Sequence, residues 1–137
     1  MGVIKYRDGY NYQLAETVML FVAVRPARPI RTQFVDLDPN GKLTVRAGYA
    51  WDGPSGPAVD TRNFMRGSLV HDALYQLMRD WLLNADQWRE EADRELRRIC
   101  LEDGMSALRA WWVYHGVRLG GGPAASRAGE RPLLTAP

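Results

Sequence analysis

Cysteine is almost missing from this chain. Cys100 is the only one in 137 residues, so no intramolecular disulfide is possible and a disulfide-stapled secreted scaffold is excluded. Among apolar helix neighbours Cys100 reads as a small core hydrophobe, not a reactive thiol. Long apolar runs are missing too. The longest, Val18–Val24, has seven residues, against the roughly 20 that a membrane-spanning helix requires. No basic segment followed by an apolar stretch opens the chain, so the expected location is the cytoplasm, unless an assembly or lysis system carries the protein out. Charge of one sign is also lacking: 18 Lys and Arg stand against 16 Asp and Glu, a net of +2, with the signs interleaved from end to end. Nucleic acid is therefore not an expected partner, since it calls for a clustered basic face. Histidine is limited to His71 and His115. Neither has ligand-like spacing to the other or to Cys100, which leaves zinc without a site.

What is present suits one packed domain. Hydrophobic residues make up 46% of the chain and there are five Trp, enough for one core but not two. Residues 1–50 read as short strands. Val3–Tyr6 and Tyr10–Leu14 flank a turn at Arg7-Asp8-Gly9, and Thr17–Val24 is β-branched and apolar. Thr32–Leu37 and Lys42–Ala47 alternate around Asp38-Pro-Asn-Gly41, which predicts a hairpin. Arg25-Pro-Ala-Arg-Pro29 interrupts any continuous ladder. Residues 51–62 form a polar loop, and from Asn63 to Leu119 the period is helical.

The first helix buries Leu69, Val70, Ala73, Leu74, Leu77, Met78 and Trp81 on one half of its wheel. The second runs from Asp86, its expected N-cap, to Leu101, with Asp103-Gly104 closing it. The third, Ser106 to about Leu119, is expected to pack Trp111 and Trp112 into the core; docking on a membrane surface or a partner protein is their other use. Gly120-Gly-Gly-Pro123 ends it. The expected fold is α+β: a small N-terminal antiparallel sheet, a three-helix C-terminal part and a disordered tail. Residues 1–122 form the single domain and 123–137 the flexible tail.

The chemistry gathers in one stretch, Trp51-Asp-Gly-Pro-Ser-Gly-Pro57, followed by His71-Asp72, Tyr75 and Asp93. On the wheel His71 lies at the edge of the apolar arc, Tyr75 one turn on, and Asp72 about 100° further round. With the first two helices antiparallel, Asp93 reaches His71 and fixes its tautomer, the orienting role that a base histidine needs. Asp72 then faces another partner. One candidate is Ca²⁺, a hard cation that takes oxygen ligands, shared with Gly53, Ser55 and Gly56. The same residues also suit a satisfied polar network that only fixes helix packing. Arg62 and Arg66, on the apolar side, each call for a carboxylate, with Asp60 and Asp52 the candidates. Ser55 lacks the strand-turn-helix setting of a nucleophile elbow and reads as a turn residue.

Two resemblances follow from these residues. Lys5-Tyr6, Gly9-Tyr10, Tyr12-Gln-Leu14, Gly48-Tyr49-Ala-Trp51-Asp-Gly-Pro-Ser-Gly-Pro57, Gly67-Ser-Leu-Val-His-Asp-Ala-Leu-Tyr75, Ala92-Asp93 and Val117-Arg-Leu-Gly120 together resemble a family of small phage, prophage and bacterial proteins of unknown function. That likeness implies a phage or prophage origin, in host cytoplasm or virion. Over about forty residues, Gly53-Pro-Ser-Gly56, Asp60, His71-Asp72, Tyr75 and Asp93 are similar to the active-site order of the phospholipase A2 superfamily, especially its compact bacterial and parvoviral members. This second likeness implies His71 as base, Asp93 as its orienter, and Asp72 with the Gly53–Gly56 carbonyls as calcium ligands. It departs at Pro54-Ser55, where a tighter Gly-x-Gly is usual, and in having no disulfides. The implied activity is a calcium-dependent lipid esterase acting at a phospholipid surface. The alternative is a non-enzymatic phage accessory or virion protein, partnered by phage structural proteins, whose His-Asp cluster is structural.

Overall fold

The structure is a computed structural model, and it describes residues 3–7, 12–52 and 62–124. The Gly53, Ser55, Gly56 loop, Asp60 and the expected tail beyond Ala124 lie outside those residues. Among the described residues seven short strands precede three helices: β1 (Tyr6–Arg7), β2 (Tyr12–Leu14), β3 (Val18–Phe21), β4 (Ile30–Arg31), β5 (Val35–Leu37), β6 (Lys42–Val45), β7 (Ala50–Trp51), α1 (Arg62–Arg79), α2 (Ala85–Glu102) and α3 (Ala107–Ala124). The α+β reading holds.

All strand pairings are antiparallel, in two sheets ordered β1-β2-β7 and β3-β6-β5-β4. The expected hairpin is β5–β6, in register at Leu37 and Leu43. Its turn closes through the Gly41 N–H onto the Asp38 carbonyl at 2.9 Å. Gly41 has φ +89°, and a Cβ there would lie 2.3 Å from the Val22 carbonyl oxygen, so both backbone and neighbour require glycine. Alternation on β5 and β6 turns Val35, Leu37, Leu43 and Val45 inward, all buried. They share a core with Leu69, Val70, Ala73, Leu74 and Leu77 of α1. Trp51, expected in the loop, instead pairs with Tyr12 as part of β7 and hydrogen-bonds Ser68 on α1 at 3.0 Å. Trp51 is thus fixed in a strand and against α1.

The helices hold several departures from expectation. Asn84, not Asp86, caps α2, accepting from the Gln87 N–H at 2.9 Å; the helix starts at Ala85, which puts Asp86 in its first turn. Trp81 is not in the core. It follows α1 at φ +62°, 75% exposed. There the Trp81 N–H donates to the Met78 carbonyl and the Leu82 N–H to that of Leu77, the bond pair of a Schellman cap.

Trp111 and Trp112 are likewise outside the core, 43% and 64% exposed. The face that α3 turns inward is made of small residues instead, with Ala110 and Gly121 buried and Val113 and Val117 partly so. The tryptophans fall on the opposite arc. The backbone of α3 also continues through Gly120-Gly-Gly-Pro123. Local propensity opposes this, but Gly121 lies against Tyr75, and that contact holds the last turns in place.

Candidate active site

Helices α1 and α2 approach closely because Gly67 has no side chain: a Cβ there would lie 2.9 Å from Cys100 Sγ and 3.1 Å from Leu96 Cδ1. Cys100 is fully buried. Its thiol is pushed up to about 12, first by burial and then by the Asp103 charge, so it packs and does not react. Near it Arg66 grips Asp103 at 3.0 Å and Glu102 at 2.8 Å. For Arg66 these end-of-α2 carboxylates stand where Asp52 was expected; Asp60 lies outside the described residues, and Arg62 is exposed. Helix α2 ends beside the start of α1, so the nearer carboxylates are remote in sequence.

About one and a half turns further along α1, the polar centre begins. His71 Nε2 stands 2.7 Å from Asp93 Oδ1, and the Tyr75 hydroxyl donates to the same oxygen at 2.6 Å. The His71 and Tyr75 rings stack at 4.1 Å, as the i, i+4 spacing on α1 allows. On the other side Arg118 of α3 donates to Asp93 Oδ2 at 2.8 Å, and Arg89, one turn before Asp93 on α2, lies 3.9 Å from that oxygen. Asp93 itself is fully buried, whereas the His71 side chain keeps 14% of its surface. Three helices therefore converge on one carboxylate.

Their donors decide its state. Burial alone would raise the Asp93 carboxyl, but hydrogen bonds from His71 and Tyr75, the nearby His71 charge and the Arg118 bond bring it below its usual range. The Tyr75 hydroxyl moves up, through burial first and then its bond to the carboxylate. An ionised carboxylate only accepts. Nε2 of His71 thus carries the hydrogen toward Asp93, so that in the neutral ring Nδ1 holds the lone pair. That is the tautomer of a ring able to take a proton from water.

Asp72 points to other partners. Tyr49, buried between β6 and β7, donates its hydroxyl to Asp72 Oδ2, and Arg79 lies 4.0 Å from Oδ1. The Asp72 carboxyl is raised, first by burial; the Tyr49 bond, Arg79 and His71 oppose that rise and Asp52 adds to it. Of the sequence-derived ligand set, Gly53, Ser55 and Gly56 lie outside the described residues. Among the described residues no three His, Cys, Asp or Glu side chains gather closely enough to hold a metal ion, so Asp72 is the single described donor. It offers a hard oxygen, Oδ1, with no hydrogen bond from a described residue, on a side chain 33% exposed. Its chemistry suits calcium and the Arg79 charge opposes it.

Sequence reasoning brought His71, Tyr75 and Asp93 into view and missed Arg118 and Arg89. Arg89 was legible as the i, i+4 partner of Asp93 on one helix. Arg118 carried no such signal, because its contact depends on how α3 crosses α2. Among the described residues no helix is long and apolar enough to cross a membrane.

A family model described as "Protein of unknown function (DUF1353)" matches residues 30–117, a span that includes β4 to β7, α1, α2 and the polar centre up to Val117. No curated protein and no solved structure matches the chain.

Proposed function

The chain belongs to the DUF1353 family of proteins of unknown function, and we propose that within it this member is a phage-encoded hydrolase that cleaves lipid esters with a His71–Asp93 pair. The observation that carries the reading is the 2.7 Å contact of His71 Nε2 with a buried, acceptor-only Asp93. In the proposed step Nδ1 of His71 takes a proton from water as the water oxygen attacks the ester carbonyl carbon. Asp93 holds the ring as it becomes charged. The carbon–oxygen bond to the alcohol then breaks, and His71 returns the proton to the departing oxygen, leaving a fatty acid and an alcohol.

Calcium, where bound, would be held by Asp72 with the Gly53, Ser55 and Gly56 loop, and would supply positive charge to the developing oxyanion. Support for a phospholipid surface as partner comes from the outer face of α3, where Leu108, Trp111, Trp112 and Leu119 are exposed. Phage origin rests on the order of the motifs along the chain.

The test is fatty-acid release from phospholipid vesicles, with calcium or with chelator, for wild type, His71→Ala and Asp93→Asn. Release that depends on His71, and that chelation abolishes, is expected. No release in any condition, with no calcium binding, sinks the reading. A second reading, a non-enzymatic phage accessory or virion protein, is favoured by one feature: Asp93 accepts from two helices besides its own and is fully buried, as a purely structural hub would be. It expects His71→Ala to lower the melting temperature while no chemistry disappears.

A further inference from the structure

The partner of Asp93 that lies outside the His-Asp-Tyr pattern is Arg118. The geometry points to Arg118 as a positioning residue of the site: α3 clamps the orienting carboxylate so that His71 is held in one tautomer, with Arg89 in reserve. This rests on the hydrolase reading for its consequence in catalysis, but not for its physical content.

Asp93 Oδ1 already accepts from both His71 and Tyr75. A carboxylate that rotates freely about its last bond would exchange its two oxygens and loosen both contacts. Arg118 Nη1 occupies Oδ2 at 2.8 Å and removes that freedom. Its charge also stands against the buried anion, so Asp93 stays ionised, and an ionised Asp93 is what forces the hydrogen of His71 onto Nε2. The anchor is itself fixed. One turn beyond Arg118, Gly121 sits so close to Tyr75 that a Cβ would lie 2.5 Å from the hydroxyl oxygen, which sets the height of α3 over α1. Arg89 supplies the reserve. Its Nη1 is buried without a hydrogen-bond acceptor and lies 3.9 Å from Oδ2, so it is placed to take over that oxygen when Arg118 is lost.

The charged and titratable groups that face the ring from the packed elements are Asp72 and Tyr75 on α1, Asp93 and Arg89 on α2, and Arg118 on α3. Among the described residues the two arginines are the permanently charged cations at Asp93.

The experiment compares wild type, Arg118→Lys, Arg118→Gln, Arg118→Met and the Arg89→Met/Arg118→Met double variant by ¹⁵N NMR of the imidazoles. His71 is assigned by the loss of its signal in His71→Ala. Wild type is expected to show the Nε2–H tautomer, with a ring proton protected from exchange. Arg118→Lys should retain it, Arg118→Met should weaken the protection at least several-fold, and the double variant should give a mixture of tautomers. On vesicles, Arg118→Met should lower kcat about tenfold or more with KM unchanged, with Arg118→Lys restoring most of it. A double variant that melts cooperatively and keeps one protected tautomer overturns the clamp, leaving Arg118 a plain tether of α3. Where the double variant does not fold, Arg118→Gln against Arg118→Lys decides: equal tautomer and protection overturn it, and loss in the Gln variant alone supports it. An absence of esterase activity in wild type removes the hydrolase reading, and the NMR result still stands or falls by itself.

Discussion

Tyr49 donates its hydroxyl to Asp72, while the residue before Asp72 on the same helix, His71, turns to Asp93. Two adjacent side chains of α1 thus serve opposite walls, one facing the sheet and one facing the other helices. Their electrostatics are opposite too, since Asp72 is raised and Asp93 lowered relative to an ordinary carboxyl.

The raised Asp72 gives the first prediction. A carboxyl that titrates higher in the fold than in the unfolded chain contributes stability below its unfolded range, and loses it as pH rises through the folded value. Asp72→Asn still accepts from Tyr49 but has no charge to bury. In chelator it should melt at or above wild type near about pH 7, with the difference shrinking toward about pH 4. A clear loss of stability at neutral pH would show that the charge of Asp72 is needed by the fold.

Asp93 should behave in the reverse way. Its lowered carboxyl stabilises the fold above the unfolded carboxylate range, and that stability is lost as pH falls through the folded value. Asp93→Asn removes the counter-charge of Arg118 and Arg89, and breaking a buried pair costs about 3–5 kcal/mol. Arg118 and Arg89 keep 27% and 24% of their side-chain surface, so screening places the loss at the lower end of that range. Denaturant melts should also show a shallower acid-side decline in the variant. Equal slopes would assign the acid sensitivity to other groups.

The parts of this fold that could be read from the chain are those fixed by near neighbours in sequence. The β5–β6 hairpin follows from Asp38-Pro-Asn-Gly41, and the faces of α1 and α2 follow from apolar spacing that sets His71, Tyr75 and Asp93 on facing sides. What escaped was set by distant contact. Trp51 becomes a strand residue because Tyr12 lies beside it. Arg66 finds Glu102 and Asp103 because α2 ends there. The inward face of α3 is chosen by how closely it can approach α1 and α2, which favours Ala110 and Gly121 over the larger Trp111 and Trp112.

Gly121 supplies a third prediction. A methyl group added there meets the Tyr75 hydroxyl at 2.5 Å and the ring carbons at 3.3 Å. Gly121→Ala should therefore destabilise the fold by about 1–3 kcal/mol, the usual effect of overpacking, although alanine is the better helix former. Tyr75→Phe removes the closest atom, so the same substitution in that background should be less harmful. A double-mutant cycle measures the coupling; additive effects would mean that α3 shifts freely at this end.

Trp81 gives the last. At φ +62° a residue with a Cβ is strained by about 1–2 kcal/mol relative to right-handed backbone, and the Schellman cap that it completes is the position where glycine is favoured. With 75% of its surface exposed, the indole gives up little burial when removed. Glycine regains some flexibility in the unfolded chain, about 0.5–1 kcal/mol, which offsets part of the relief. Trp81→Gly should still raise stability by about 0.5–1 kcal/mol, seen as a melting temperature higher by a few degrees. Trp81→Ala, which keeps the strain and loses the indole, should not. If both variants melt lower than wild type by the same amount, the indole is anchoring the α1–α2 turn through its ring, and the strain at its backbone is offset by that contact.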